Sequence, residues 1–192
     1  MDLQETDESL MLRFGRGDSA AFEALYKRYE SRIFRYLYRN VRNEASANDL
    51  MQDVWFAVAH NAQRYQPTAK FSTWLFTLAH HRMVDMIRRS RPQQSLDAES
   101  GEEGDGTTLH ESLAADRDGE PEVLAQAQDD ATALLNAVAT LPPEQRSAFL
   151  MQAEGELSVE EIAAATGTSF ETVKSRLRYA RAKLRQLLWE YA

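Results

Sequence analysis

The sequence contains no cysteine, which removes disulfides, thiolate metal centres and thiol nucleophiles together. That absence fits a reducing, cytoplasmic setting. Glycine (8 residues) and proline (5) are scarce in a chain of 192, so turns and breaks must fall in a few places. No apolar run approaches the ~20 residues that a membrane-crossing helix needs. The opening MDLQETDESL is acidic and lacks the basic-then-apolar layout of a signal peptide, so no membrane insertion is expected. Strand-like alternation is rare as well. Catalytic signatures are missing: there is no Ser/His/Asp order, no Gly-rich phosphate loop and no paired-carboxylate arrangement, and the chain reads as a non-enzyme without cofactors. His81 and Asp85 stand at i,i+4, a metal-ligand spacing, but two ligands without a third do not make a metal site.

What the chain does have is charge, unevenly spread. The formal net charge is −8. Residues 22–91 carry twelve bases and six acids, whereas residues 92–130 carry twelve acids and only Arg117. The last stretch, 169–192, is basic again, with six bases and two acids. Two basic modules therefore flank an acidic tether. The tether, SLDAESGEEGDGTTLHESLAADRDGEP, has too little apolar surface to offset its ordering entropy and reads as a flexible linker. Its acids are those of a solvated spacer or of a nucleic-acid mimic that screens the basic modules.

Helical periodicity dominates elsewhere. Asp18 can cap a helix whose apolar positions are Phe22, Leu25, Tyr29, Ile33, Phe34, Tyr36 and Leu37. Ser46 and Asp49 have capping-box spacing before NDLMQDVWFAVAHNA. Pro67 breaks that pattern, a further helix begins near Phe71, and Pro92 is expected to stop it. After the tether the helical pattern resumes at Glu122, and Pro142 opens another helix. The expected fold is all-α: two small helical domains over 8–91 and 121–192, joined by the flexible acidic linker 92–120.

Residues 158–185 read as helix-turn-helix. Ser158 with Glu161, and Thr168 with Glu171, have capping-box spacing. Ala163 permits close approach of the two helices, Gly167 permits positive φ, and Val173 plugs the junction. Val173, Leu177, Ala180, Leu184 and Leu187 form the core stripe of the second helix, with Lys174, Arg178, Arg181 and Arg185 on another face. A merely solvated helix face usually mixes signs for i,i+4 pairing. This face is nearly all basic, which suits phosphates. Early residues of a recognition helix reach base edges and later cations meet the backbone. Thr172, Lys174, Ser175, Arg178 and Tyr179 are therefore assigned to the major groove, and Arg176, Arg181 and Lys183 to phosphates.

From LPPEQR through EIA to TVKSRLRYARAKL, this half resembles region 4 of extracytoplasmic-function sigma factors of bacterial RNA polymerase. The resemblance implies recognition of the minus-thirty-five promoter element. Where the family commonly has Arg-Ala-Arg, this chain has Tyr179-Ala180-Arg181. The first half is similar to sigma region 2. ANDLMQDVWFAVA resembles the segment that docks on the clamp coiled coil of the polymerase, which would give Asp49, Gln52 and Asp53 that role while Leu50, Val54 and Trp55 pack inward. KFSTWLFTLAHHRMVDMIRRSR resembles the segment that opens the minus-ten element. Strand opening needs surfaces for unstacked bases and cations for the displaced backbone. Arg64, Lys70, Phe71, Trp74, His80, His81, Arg88 and Arg89 are the residues expected there; Phe71 and Trp74 suit either stacking or core, and the family often shows Arg-Asn at His80-His81. The resemblance implies an alternative sigma factor whose partners are core polymerase (clamp coiled coil and flap) and promoter DNA, with an anti-sigma factor a further candidate. The competing reading is a free-standing helix-turn-helix regulator.

Overall fold

A computed structural model of the chain describes residues 5–94 and 121–189, and every regular element among them is helical. The order is α1 Asp7–Gly15, α2 Ser19–Val41, α3 Glu44–Asn61, a 3-10 turn at Ala62–Arg64, α4 Phe71–Gln94, α5 Pro121–Ala139, α6 Pro143–Gly155, α7 Val159–Thr166 and α8 Phe170–Trp189. Of the expected acidic linker, residues 95–120 lie outside the described residues.

Local chemistry accounts for most of the boundaries. The Asp18 carboxylate accepts from the amides of Ala20 and Ala21 and so starts α2. At the other end, Arg42 takes a left-handed conformation (φ 57°) and turns the chain into α3. The cap of α3 is Asn43, whose Oδ1 accepts from the Ser46 amide at 2.8 Å, and not Ser46 as its spacing suggests. Asn43 sits directly after the turn, so its side chain reaches the first free amides before Ser46 can. Ser158 and Glu161 do form a complete capping box on α7. The second expected box does not form. Ser169 caps α8 through the Thr172 amide, while the Thr168 hydroxyl bonds Thr166 instead. Helix α4 runs past Pro92 to Gln94. A proline in a last turn removes a single ladder bond, which a helix end tolerates.

Helix α2 is the spine of the first module. Leu25, Ile33, Tyr36 and Leu37 are fully buried on it, against Leu50, Val54 and Val58 of α3 and Leu75, Phe76 and Ala79 of α4. Leu10 and Met11 bring α1 onto the same core. Gly15 ends α1 so close to the 3-10 turn that a Cβ there would lie 2.5 Å from the Ala62 carbonyl oxygen. In the second module, α6 and α7 pack on α8 around Leu150, Met151, Ile162, Val173 and Leu177. Gly167 adopts φ 64° between α7 and α8, as the sharp crossing requires.

The two modules also pack on each other: α2 lies against α6, and α4 against α6 and α7. Their buried residues join in one hydrophobic cluster. No local pattern in the chain signals this association.

Candidate nucleic-acid and polymerase interfaces

Three surfaces emerge from the helices. The first is the outer face of α8. Val173, Leu177, Ala180 and Leu184 are buried on one stripe, which leaves Lys174, Arg178, Tyr179, Arg181, Lys183 and Arg185 exposed. Thr172, Ser175 and Arg176 are half-buried at its margins. Tyr179 is 55 % exposed and carries the Arg178 guanidinium 5.0 Å from its ring centroid. Cation and ring thus form one flat, charged shelf. Lys174 lies over the Phe170 ring at 5.9 Å, and Arg181 donates to Gln152 Oε1 at 2.5 Å. A single acid, Glu171, faces these cations from within α8, 3.9 Å from Lys174.

The second surface runs from the loop before α4 along that helix. Arg64, Lys70, His81, Arg88 and Arg89, five of the residues expected at the minus-ten element, are exposed. Phe71 is not. Its ring is fully buried among Tyr29, Tyr65 and Trp74, at centroid distances of 5.4, 6.2 and 5.8 Å, and its amide donates to Glu8 Oε1. Of the two roles the sequence left open for it, this arrangement shows core. Trp74 is half-buried, edge-on to Tyr65, with part of its surface available. Burial pushes the Tyr65 hydroxyl up to about 12.

His80 likewise turns away from solvent. Its Nδ1 lies 3.1 Å from the Tyr36 hydroxyl and 3.4 Å from that of Ser147, a residue of the other module. Burial first, then the charges of His81 and Arg176, lower its pKa to about 4, so the ring is neutral at pH 7. Among the described residues no three metal-ligating side chains gather in one place.

The third surface is on α3. Leu50, Val54 and Trp55 are buried, Trp55 against Phe22 and Tyr26, whereas Asp49, Gln52 and Asp53 are exposed. Phe56 joins them two turns from Asp49, and its ring is 71 % exposed. Sequence reasoning passes over Phe56, although its i+7 spacing from Asp49 is the signal that could have found it. The stripe is acidic and aromatic.

Two family profiles match the chain: Sigma-70 region 2 over residues 25–93, and Sigma-70, region 4 over residues 131–184. The RNA polymerase sigma factor CarQ of Myxococcus xanthus is 34 % identical over 180 residues, covering 94 % of this chain and 96 % of the relative. The ECF RNA polymerase sigma factor SigW of Bacillus subtilis is 30 % identical, covering 90 % and 91 %. The chain belongs to the extracytoplasmic-function sigma factors.

That membership decides for an alternative sigma factor over a free-standing regulator. Solved structures agree on the fold. CnrH, in complex with the cytosolic domain of CnrY, superposes with a TM-score of 0.65 at 22 % identity, covering 98 % of this chain and all of that one. The sigma factor RpoE of Bartonella quintana, in complex with the anti-sigma factor NepR, gives 0.66 at 21 % identity, covering 87 % and 96 %. Among the described residues of this sigma factor, no helix is long and apolar enough to cross a membrane. Its α8 face, up to residue 184, falls within the region 4 match; the α3 and α4 faces fall within the region 2 match.

Proposed function

We propose that this sigma factor divides its work among the three surfaces. The α8 face reads the minus-thirty-five element: Lys174, Ser175, Arg178 and Tyr179, with Thr172 at the helix start, meet base edges, and Arg176, Arg181 and Lys183 meet phosphates. Arg64, Lys70, Trp74, His81, Arg88 and Arg89 serve the minus-ten element. Asp49, Gln52 and Asp53, together with Phe56, dock on the polymerase clamp, and the second module approaches the flap. Catalysis stays with the polymerase, in the cytoplasm. An anti-sigma factor is a further partner, of the kind present in the complexes of the structural neighbours.

The observation that carries this reading is the α8 face: six bases against one acid over residues 168–185, held outward by a buried stripe on a helix-turn-helix. A cationic face with one acid repels itself unless a polyanion neutralises it. The test is promoter selection from a random DNA pool with holoenzyme reconstituted from core polymerase and the full chain. Enrichment of a two-part motif that needs core polymerase is expected. Tight, specific binding by the isolated protein as a dimer contradicts it.

A further inference from the structure

Helix α1 lies ahead of residues 25–93, the span matched to region 2, and none of the three surfaces above uses it. It is nevertheless held at both ends. At its start, Arg28 of α2 donates to the Glu5 carbonyl at 3.0 Å and pairs with Asp7, whose second carboxylate oxygen accepts from the Tyr29 hydroxyl. Near its end, Arg13 bridges Glu5 and Asp18, and Gly15 lies against the Ala62 carbonyl. Leu10 and Met11 between them are buried. So fixed, α1 turns Glu8 toward α4. The half-buried Glu8 carboxylate accepts from the Phe71 amide at 2.7 Å, across 63 positions of sequence.

Phe71 is the first residue of α4, where the leading amides have no intrahelical acceptor. Serine, threonine, aspartate or asparagine ordinarily caps such an end from the preceding position. Here that position holds Lys70, whose ammonium offers donors only. Glu8 thus supplies the cap that the local sequence omits, and its negative charge suits the positive end of a 24-residue helix. The turn it caps belongs to the second surface. The first ladder bond of α4 runs from the Trp74 amide to the Lys70 carbonyl at 3.1 Å, so one turn of helix joins that cation to that ring. Trp74 in turn sits 5.2 Å from Tyr65 and 5.8 Å from Phe71, the residue whose amide Glu8 holds. Residues 66–70 before it are all exposed and leave that first turn prone to fray from its loop side.

We infer that Glu8 is a positioning residue for promoter opening. It keeps the first turn of α4 formed, so that Lys70 and Trp74 meet the displaced strand in one fixed relation, the cation on its backbone and the ring on an unstacked base. The inference rests on the reading, given above, that the α4 face serves the minus-ten element. Groups already in place incur no ordering cost when the strand arrives, so a residue that never touches DNA sets the rate of opening.

The test uses holoenzyme reconstituted from core polymerase and the full chain on a selected promoter, with opening followed by permanganate reactivity of unpaired thymines. Glu8→Ala should slow opening about tenfold, the size expected for losing one charge-assisted cap. Core polymerase binding, protection of the minus-thirty-five element and helix content should match wild type. On a promoter already mismatched across the minus-ten element the deficit should shrink to about twofold or less, because unpairing no longer has to be driven. Two further variants separate the bond from the charge. Glu8→Gln keeps the reach and the acceptor oxygen, and should open within about threefold of wild type. Glu8→Asp keeps the charge but is one methylene short, and should behave like Glu8→Ala.

Opening by Glu8→Ala at the wild-type rate overturns the proposal. So does normal opening by Glu8→Asp beside slow opening by Glu8→Gln, since charge and not the bond would then be at work. An undiminished deficit on the mismatched promoter also overturns it, because a merely damaged module loses function on either template. Were Glu8→Ala to lose helix content, the contrast between Glu8→Gln and Glu8→Asp decides alone. Lys70→Ala and Trp74→Ala are run in parallel: normal opening by both indicts the minus-ten reading, whereas slow opening by either beside a normal Glu8→Ala indicts only the positioning role.

Discussion

Two helices of this sigma factor carry rows of arginine at helical spacing, and the rows meet opposite fates. On α2, Arg32, Arg35 and Arg39 are half-buried and satisfied by the acid and carbonyl of Glu154. On α8, Arg178, Arg181 and Arg185 are exposed, and the helix contributes only Glu171 as an acid. Spacing alone does not separate them. What separates them is whether another element brings a carboxylate to the row. A cationic row that is neutralised within the fold organises the protein; one left open waits for an external polyanion. The closed row shows the cost of enclosure at Arg39, where burial pulls the guanidinium pKa down and the charge of Glu154 opposes that shift.

The largest effect should come from reversing the open row. Arg178→Glu places a carboxylate where a base edge or phosphate is expected, and promoter-directed transcription by reconstituted holoenzyme should fall by about a hundredfold or more. Core polymerase binding, measured separately, should change little. Next comes the docking stripe on α3. Phe56→Ala removes an exposed aromatic beside Asp49, Gln52 and Asp53, and should weaken core polymerase binding by about thirtyfold, as truncating an interface anchor does. Titration of the fluorescently labelled variant with core polymerase gives that number.

The buried His80 supplies a pH prediction. His80 is held near 4 in the folded chain, by burial first and then by the charges of His81 and Arg176, with Tyr36 of α2 and Ser147 of α6 at its Nδ1. An unfolded, hydrated His80 returns toward about 6.5, so the folded form binds fewer protons. Its contribution to stability is complete above about pH 6.5 and is lost as pH falls toward about 4. Between pH 7 and pH 5 the unfolding equilibrium constant should rise on the order of tenfold from this group, read from denaturant titrations, and His80→Gln should flatten that part of the response. The smallest effect belongs to a single phosphate contact: Lys183→Ala should weaken holoenzyme binding a few-fold across all promoters and reduce the salt slope by about one.

How much of this is legible in the sequence follows the range of the interaction. Asp18, Gly167 and the Ser158–Glu161 box act over a few residues, and each is visible as a local pattern. The α8 stripe needs only a wheel of about 100° per residue. Where two caps compete within three residues, as Asn43 with Ser46 and Ser169 with Thr168, spacing does not choose between them. Phe71 and His80 are harder. Both lie among aromatic and basic neighbours that suit a DNA surface, but Tyr29 and Glu8 claim the first, and Ser147 claims the second from 67 positions away. Glu154 is invisible for the same reason: in AEGEL it is one more helix acid, and only the packing of α6 on α2 gives it three arginines.

The most direct measurement is a footprint of reconstituted holoenzyme on a selected promoter, with wild-type protein and with Arg178→Ala. Protection of both promoter elements by the wild type, dependent on core polymerase, with selective loss over the minus-thirty-five element in the variant, is the predicted result. Equal protection by wild type and variant, or full protection by the sigma factor without polymerase, contradicts the account.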